Sequence, residues 1–97
     1  MNTERTSLFL MANLGSEVSR IFYAKEFGDS RIFEIAMMKA KSILTELKNL
    51  PDTKNNSEID ILADVINDIG KRTRKYEISS EQLQSYFYPF AMKLMQV

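Results

Sequence analysis

Three aspartates at a spacing of four residues are the first chemical candidate in this sequence. Asp60, Asp64 and Asp68 would lie on successive turns of one helix face, because residues four apart are neighbours on a helix. A row of carboxylates suits a magnesium ion. The alternative is a solvated face opposite an apolar stripe, and the sequence favours it because charged runs on amphipathic helices normally face water. We therefore predict no metal site.

A basic cluster is the second candidate, and it comprises Lys71, Arg72, Arg74 and Lys75, followed by Tyr76. The cations would contact phosphates of a nucleic acid, and Tyr76 would stack on a base. The alternative is structural, because acidic residues at the start of this helix and basic residues at its end match the helix dipole. The chain has 13 basic and 13 acidic residues and no net charge, whereas nucleic-acid-binding domains are usually basic. Nucleic-acid binding is therefore our second hypothesis.

Two residue types are missing, and their absence excludes several chemistries. The sequence contains no histidine and no cysteine. Ser-His-Asp and Cys-His catalysis, disulfides, and thiolate or imidazole zinc sites are thereby excluded. We find no other catalytic motif. We expect a chain that is not an enzyme, with no catalytic residue and no cofactor.

Small residues recur along the first predicted helix, at Ala12, Gly15, Ser16 and Ser19. A glycine inside a helix costs about 1 kcal/mol relative to alanine, so some packing advantage should compensate. We predict that Gly15 and Ser16 lie opposite Ala40 and Lys41, where small residues let two helices approach closely. The alternative is a shallow groove that holds a ligand or a side chain of a partner.

More apolar residues are present than one small core needs. Those that fall off the main helical stripes, or at their margins, are Phe9, Tyr23, Phe27, Met38, Tyr88 and Met92. Methionine and aromatic residues are enriched at protein interfaces, and large apolar patches are rare on monomers. These apolar residues predict a non-catalytic module with a protein-interaction or structural role. We expect it to form a homo-oligomer, namely a dimer, or to bind another protein.

Helices must position these side chains. Apolar residues at spacings of three and four predict helices at about 6–27, 30–49, 58–74 and 80–96. Gly28 followed by Asp29 predicts a C-terminal glycine and an N-terminal cap in one tight turn. Two long helices joined by so short a turn must lie antiparallel.

The fourth helix has a clear start and an internal interruption. Ser79 and Gln82 have the spacing of a capping box, in which each side chain bonds the backbone N–H of the other. Pro89 falls inside the helix, where it removes one hydrogen bond. Because the apolar stripe keeps its phase across Pro89, we predict one kinked helix rather than two.

Length and composition complete the prediction. The chain has 97 residues, of which 44% are apolar and 27% are charged, as in an ordinary globular domain. We predict a single all-α domain over residues 1–97, an antiparallel four-helix bundle with a long N-terminal helical hairpin and a Pro-kinked C-terminal helix.

No apolar run reaches the roughly 18 residues of a membrane span, and the apolar patch at 8–11 is short for a signal peptide. We expect a cytoplasmic protein without membrane contact. The predicted core comprises Leu14, Val18, Ile21, Phe22, Phe33, Met37, Ala40, Leu44, Leu47, Leu62, Ile66, Ile69, Leu83, Phe87, Phe90 and Leu94.

Overall fold

The computed structural model describes residues 3–51, 57–71 and 74–96 of the chain. Within these ranges it contains helices and no strand, so the all-α prediction is confirmed. The helices are α1 (Thr3–Phe27), α2 (Ser30–Asn49), α3 (Ser57–Ile69) and α4 (Ser80–Gln96). Together they form a four-helix bundle. None of the helices in the described part of the chain is long and apolar enough to cross a membrane.

The turn between α1 and α2 is the one that the sequence predicts. Gly28 has a φ of 68°, in the left-handed region that glycine adopts without strain. The carboxylate of Asp29 accepts a hydrogen bond from the backbone N–H of Ile32 at 3.0 Å, and this contact caps α2. Helix α2 therefore runs back along α1, and the predicted hairpin is confirmed.

Helix α1 lies between α2 and α4. It packs along both of them, whereas no Cα atom of α2 lies within 8 Å of one of α4. Helix α4 runs antiparallel to α1, since Ser19 contacts Gln84 near one end of the pair and Gly15 contacts Phe87 further along. The prediction that Gly15 packs against Ala40 and Lys41 is wrong, because the glycine faces the aromatic ring on α4 instead.

The core extends over all four helices. Leu14, Val18 and Ile21 are fully enclosed on α1, where they pack in one cluster with residues of the other helices. Every predicted core residue except Leu94 belongs to that cluster or packs against it. Apolar residues that the sequence prediction omitted are also buried, namely Leu8, Leu10, Met11, Ala24, Ala36, Ile59 and Val65.

Helix α3 is shorter than predicted. It ends at Ile69 rather than at residue 74, and Gly70 starts a turn. The reason is that the chain folds back beyond this point, where the backbone N–H groups of Lys75 and Tyr76 donate to the carboxylate of Asp68. A continued helix would hold these donors away from Asp68.

Helix α4 begins with the predicted capping box. The backbone N–H of Ser79 donates to Oε1 of Gln82 at 2.8 Å, and the N–H of Gln82 donates to Oγ of Ser79 at 3.1 Å. The helix then continues across Pro89 without a break. One continuous helix is confirmed, and the kink at Pro89 stays a prediction.

Candidate interaction surfaces

Asp68 is a buried carboxylate that organises the connection between α3 and α4. Its side chain accepts hydrogen bonds from the N–H of Lys75 at 2.7 Å and of Tyr76 at 3.0 Å, and Nε of Arg74 lies 3.6 Å from Oδ2. Burial would raise the pKa of Asp68, but these N–H groups and the charges of Arg74 and Lys71 hold that pKa below its usual value. Asp68 is only 1% exposed. The prediction of a solvated face is therefore wrong at this position.

The other two aspartates have partners of their own. Asp60 forms an ion pair with Lys48 of α2, and Asp64 accepts a hydrogen bond from the hydroxyl of Tyr76 at 2.6 Å. This hydrogen bond, together with burial of the ring, raises the pKa of Tyr76. The three carboxylates thus serve three separate contacts. Over the described ranges, no group of three or more acidic side chains is arranged to hold a metal ion.

The side chain of Arg74 forms contacts within the protein and is only partly exposed. Its Nη2 donates to the carbonyl oxygen of Ile78 at 2.9 Å, and its guanidinium lies 5.9 Å from the ring centroid of Phe22. With the ion pair to Asp68, these contacts place Arg74 between α1 and the connection that leads to α4. A charged group held in this way is poorly placed to bind phosphate.

The remaining members of the basic cluster lie beyond the end of α3. Lys71 and Lys75 are exposed, with Nζ of Lys75 at 5.3 Å from the ring centroid of Tyr76. Arg72 lies outside the described residues. Because α3 ends at Ile69, the explanation of this cluster by the helix dipole is wrong, and the last turn of α3 holds an acidic residue instead.

All the predicted interface residues are exposed. Their exposed fractions range from 37% for Met92 to 72% for Met38. Two of them are in contact on α1, where the rings of Tyr23 and Phe27 lie 4.6 Å apart at an interplanar angle of 41°. Among the described residues the only ring contact within the set is that between Tyr23 and Phe27, and the members lie on three different helices. They are Phe9, Tyr23 and Phe27 on α1, Met38 on α2, and Tyr88 and Met92 on α4.

A hairpin patch is formed where α1 and α2 meet near their turn. We define it as Tyr23, Phe27, Ile32 and Ile35, each of which is more than a third exposed. Tyr23, Ile32 and Ile35 line a shallow cavity of about 370 Å³. The prediction of interface residues from the sequence omitted Ile32 and Ile35, because each lies one position before a residue of the apolar stripe of α2. Their spacing of three residues, which places them on one face of the helix, was the signal that could have identified them.

The edge of this patch carries a paired charge. Arg20 and Glu17 line the same cavity, and Nη1 of Arg20 lies 3.3 Å from Oε2 of Glu17. Because opposite charges are adjacent, this edge adds no net charge to the patch. Polar groups around an apolar centre are the usual anatomy of a protein interface.

The small residues of α1 line a second shallow groove, which is the alternative that the sequence left open. Ala12, Gly15 and Ser16 face Phe87 and Tyr88 of α4 across a cavity of about 230 Å³. Phe87 fills the floor of this groove, as the close approach to Gly15 shows. The exposed lining of this groove comprises Ser16, Gln84 and the ring of Tyr88.

A third surface, the α3–α4 groove, separates the last two helices. Its lining is Glu58, Ile61, Leu62, Val65, Ile78, Gln82, Leu83 and Tyr86, around a cavity of about 350 Å³. The hydroxyl of Tyr86 donates a hydrogen bond to Glu58 across it. Burial, followed by this hydrogen bond, raises the pKa of Tyr86 well above its usual value. Ile61 is 60% exposed on the wall of the groove and was not among the predicted interface residues.

Comparison with known proteins gives no relative from which a function could be transferred. No protein-family model, no curated protein and no solved structure matches this chain.

Proposed function

We propose that this chain is a non-catalytic interaction module that associates with a second copy of itself through the hairpin patch. The observation that carries the proposal is a group of exposed apolar side chains on two adjoining helices. Tyr23, Ile32 and Ile35 line one shallow cavity, and the ring of Phe27 contacts the ring of Tyr23. Removing apolar surface from water is worth roughly 25 cal/mol per Å². Clustered apolar side chains of this kind mark interaction sites more often than isolated ones do.

The shape of the hairpin supports an interface that is already organised before binding. Gly28 and the Asp29 cap fix the turn, and the buried residues of α1 and α2 hold the two helices together. The patch therefore loses little conformational freedom on association, which favours binding. The contact between the Tyr23 and Phe27 rings limits their movement further.

A second copy of the chain is the occupant that the charges favour. The chain has no net charge, so two copies do not repel each other at long range. The edge of the hairpin patch is a balanced pair, Glu17 with Arg20. A twofold dimer brings the same patch of each copy together, and an apolar patch with a neutral edge is compatible with itself.

We also propose that the chain is non-catalytic and cytoplasmic, on the basis of its composition and of the contacts of its aspartates. The chain contains no histidine or cysteine, and Asp60, Asp64 and Asp68 are engaged in contacts within the protein. A chain without cysteine needs no oxidising compartment for its folding.

The nucleic-acid hypothesis has less support than it had from the sequence. Arg74 and Tyr76 are held by contacts within the connection before α4. Of the described cluster, Lys71 and Lys75 remain exposed, and two lysines on a neutral molecule make a weak site for phosphates.

Light scattering over a concentration series tests the proposal. We expect the mean mass to rise with concentration towards twice the monomer mass. Because the interface is apolar, the mass should not fall when salt is added, in contrast to an association held by surface charges. A mass that stays at the monomer value at every concentration would contradict the proposal.

A further inference from the structure

The hairpin patch, together with Arg20 at its edge, is symmetric about one centre. On α1, Arg20 and Phe27 lie on either side of Tyr23, at spacings of three and four residues that keep them on one face of the helix. On α2, Ile32 and Ile35 share a face for the same reason. Because α2 runs back along α1, residues equally far from the turn lie side by side. The centre of each set is about five residues from the turn, so the two centres lie at the same level along the hairpin.

This symmetry makes the surface complementary to a second copy of itself. A twofold axis that lies in the interface at this centre, perpendicular to both helices, reverses their direction, so the tips of two hairpins overlap. Tyr23 then lies opposite Tyr23 of the second copy, and Ile32 lies opposite Ile35. Arg20 lies opposite Phe27, and the face of an aromatic ring is a favourable contact for a guanidinium. Each residue of the hairpin patch thus meets a suitable side chain of the second copy.

We propose that two copies of the chain associate in this antiparallel arrangement, with the tips of their hairpins overlapping, as a weak and reversible dimer. The inference rests on the proposed function, because it specifies how a second copy binds the hairpin patch. The first half of α1, including Phe9, then lies beyond the tip of the second copy and outside the interface.

Charge selects this arrangement over two other twofold arrangements. Glu17 and Arg20 form an ion pair, but their side chains are 11% and 58% exposed, so the charge at the surface is that of Arg20. A twofold axis along α1 would place Arg20 against Arg20 of the second copy. An axis along the groove between α1 and α2 would place it beside Lys39, which is exposed at nearly the same level of α2. Like charges in contact are unfavourable, whereas the antiparallel arrangement places Arg20 on Phe27.

The area of the hairpin patch indicates a weak dimer. A large aromatic side chain covers roughly 150–250 Å², and the four residues of the patch are between 37% and 65% exposed. They therefore offer roughly 400 Å² per copy, about half of the 800 Å² per partner that is typical of a stable complex. Interfaces of this size are typical of transient complexes, so we expect a dissociation constant in the micromolar range or weaker. A nanomolar dimer would contradict this expectation.

A distance between two spin labels tests the arrangement. The chain contains no cysteine, so Glu46→Cys introduces one labelling site, on an exposed position of α2 about 12 residues from the centre of the hairpin patch. At 1.5 Å per residue, the antiparallel arrangement separates the two labels by roughly 40 Å. An axis along α1, or along the groove between α1 and α2, would bring them to roughly 20 Å or less. Pulsed electron paramagnetic resonance measures this distance, and dilution with unlabelled chain should remove the signal between copies.

Two matched variants on α1 test the extent of the interface. Phe27→Ala and Phe9→Ala each replace an aromatic residue that is more than half exposed, and only Phe27 lies where the tips overlap. We expect Phe27→Ala to weaken the dissociation constant about tenfold, because each dimer loses two contacts. We expect Phe9→Ala to leave it within about twofold. Light scattering over a concentration series measures both constants.

The outcomes separate this inference from the proposed function. A wild type that is a monomer at every concentration removes both of them. If a dimer forms but its labels lie roughly 20 Å apart or less, self-association stands and the antiparallel arrangement is wrong. The same conclusion follows if Phe9→Ala weakens the dimer as much as Phe27→Ala does, because the interface would then extend along the whole of α1.

Discussion

A β-carbon placed on Gly15 would lie 2.8 Å from Cβ of Phe87 and 2.9 Å from its Cγ. Helix α4 therefore rests its buried aromatic residue directly on the backbone of α1. This contact explains why a glycine is present in the middle of a 25-residue helix, where it is otherwise unfavourable. The space that Gly15 leaves is filled by a side chain of the same chain rather than by a ligand.

We expect Gly15→Ala to destabilise the fold. Overpacking of a core lowers the free energy of unfolding by about 1–3 kcal/mol, and the higher helix propensity of alanine offsets about 1 kcal/mol of that loss. The expected net loss in the free energy of unfolding is about 1 kcal/mol, measured by urea denaturation. Ser16→Ala is the control, because Ser16 is the exposed neighbour and its replacement should change little. A Gly15→Ala chain as stable as the wild type would contradict the close contact.

Replacement of Asp68 should destabilise the protein more than replacement of Asp64. An asparagine at 68 would direct an amide N–H₂ group towards one of the two backbone donors and would remove the charge that Arg74 faces. Asp64 is exposed and accepts only the Tyr76 hydroxyl in the described contacts. We expect thermal unfolding to show a clearly larger decrease in Tm for Asp68→Asn than for Asp64→Asn. Equal decreases would show that Asp68 does not organise the connection.

The acid dependence of stability should also depend on Asp68. Its pKa is lower in the folded chain than in the unfolded chain, where it is about 3.9. The ionised form therefore stabilises the fold above that value, and this contribution is lost as the pH falls through the pKa of the folded state. We expect the difference in the free energy of unfolding between the wild type and Asp68→Asn to narrow on acidification below about pH 4.

Urea denaturation of both chains from neutral to acid pH measures this difference. The other carboxylates are common to the two chains, so their titration cancels to a first approximation in the comparison. Among the described residues, the groups that lower the pKa of Asp68 are the N–H groups of Lys75 and Tyr76 and the charges of Arg74 and Lys71, and all of them are present in both chains. A difference that stays constant with pH would contradict the assigned role of the carboxylate.

The capping box of α4 should contribute measurably to stability. Ser79→Ala removes the acceptor for the Gln82 N–H, and loss of an N-terminal cap typically costs about 1 kcal/mol. Ser80→Ala is a suitable control, because residue 80 is the first residue of the helix and lies one position beyond the cap. Urea denaturation should separate the two variants, and an equal effect of both would show that Ser79 is not the cap.

Local sequence signals predicted the helices well. The turn at Gly28 and Asp29, and the capping box of Ser79 and Gln82, depend on residues that are near one another in the chain. Their geometry follows from backbone conformation and from hydrogen bonds over three residues. For this reason the bounds of α2 are those predicted, and α4 has the predicted extent.

Contacts between distant elements were harder to predict. The sequence places Gly15 on α1 but does not decide whether α2 or α4 covers it. Asp68 has the spacing of a surface residue relative to Asp64, but it is buried and contacts residues 74–76, where the chain folds back at the end of α3. An acidic residue near the C-terminus of a helix interacts unfavourably with the helix dipole. This position of Asp68, together with the basic residues that follow it, was the signal in the sequence that could have predicted its burial.

The central claim is self-association through the hairpin patch, and two matched variants test it directly. Ile35→Glu changes an exposed isoleucine of the patch, and Ile61→Glu changes an exposed isoleucine of α3 outside it. Light scattering at increasing concentration should show the wild type and Ile61→Glu approaching twice the monomer mass, while Ile35→Glu remains a monomer. Circular dichroism should show that all three chains keep their helical content, since both positions are exposed. If Ile35→Glu associates as strongly as Ile61→Glu, or if the wild type is a monomer throughout, the proposed interface is wrong.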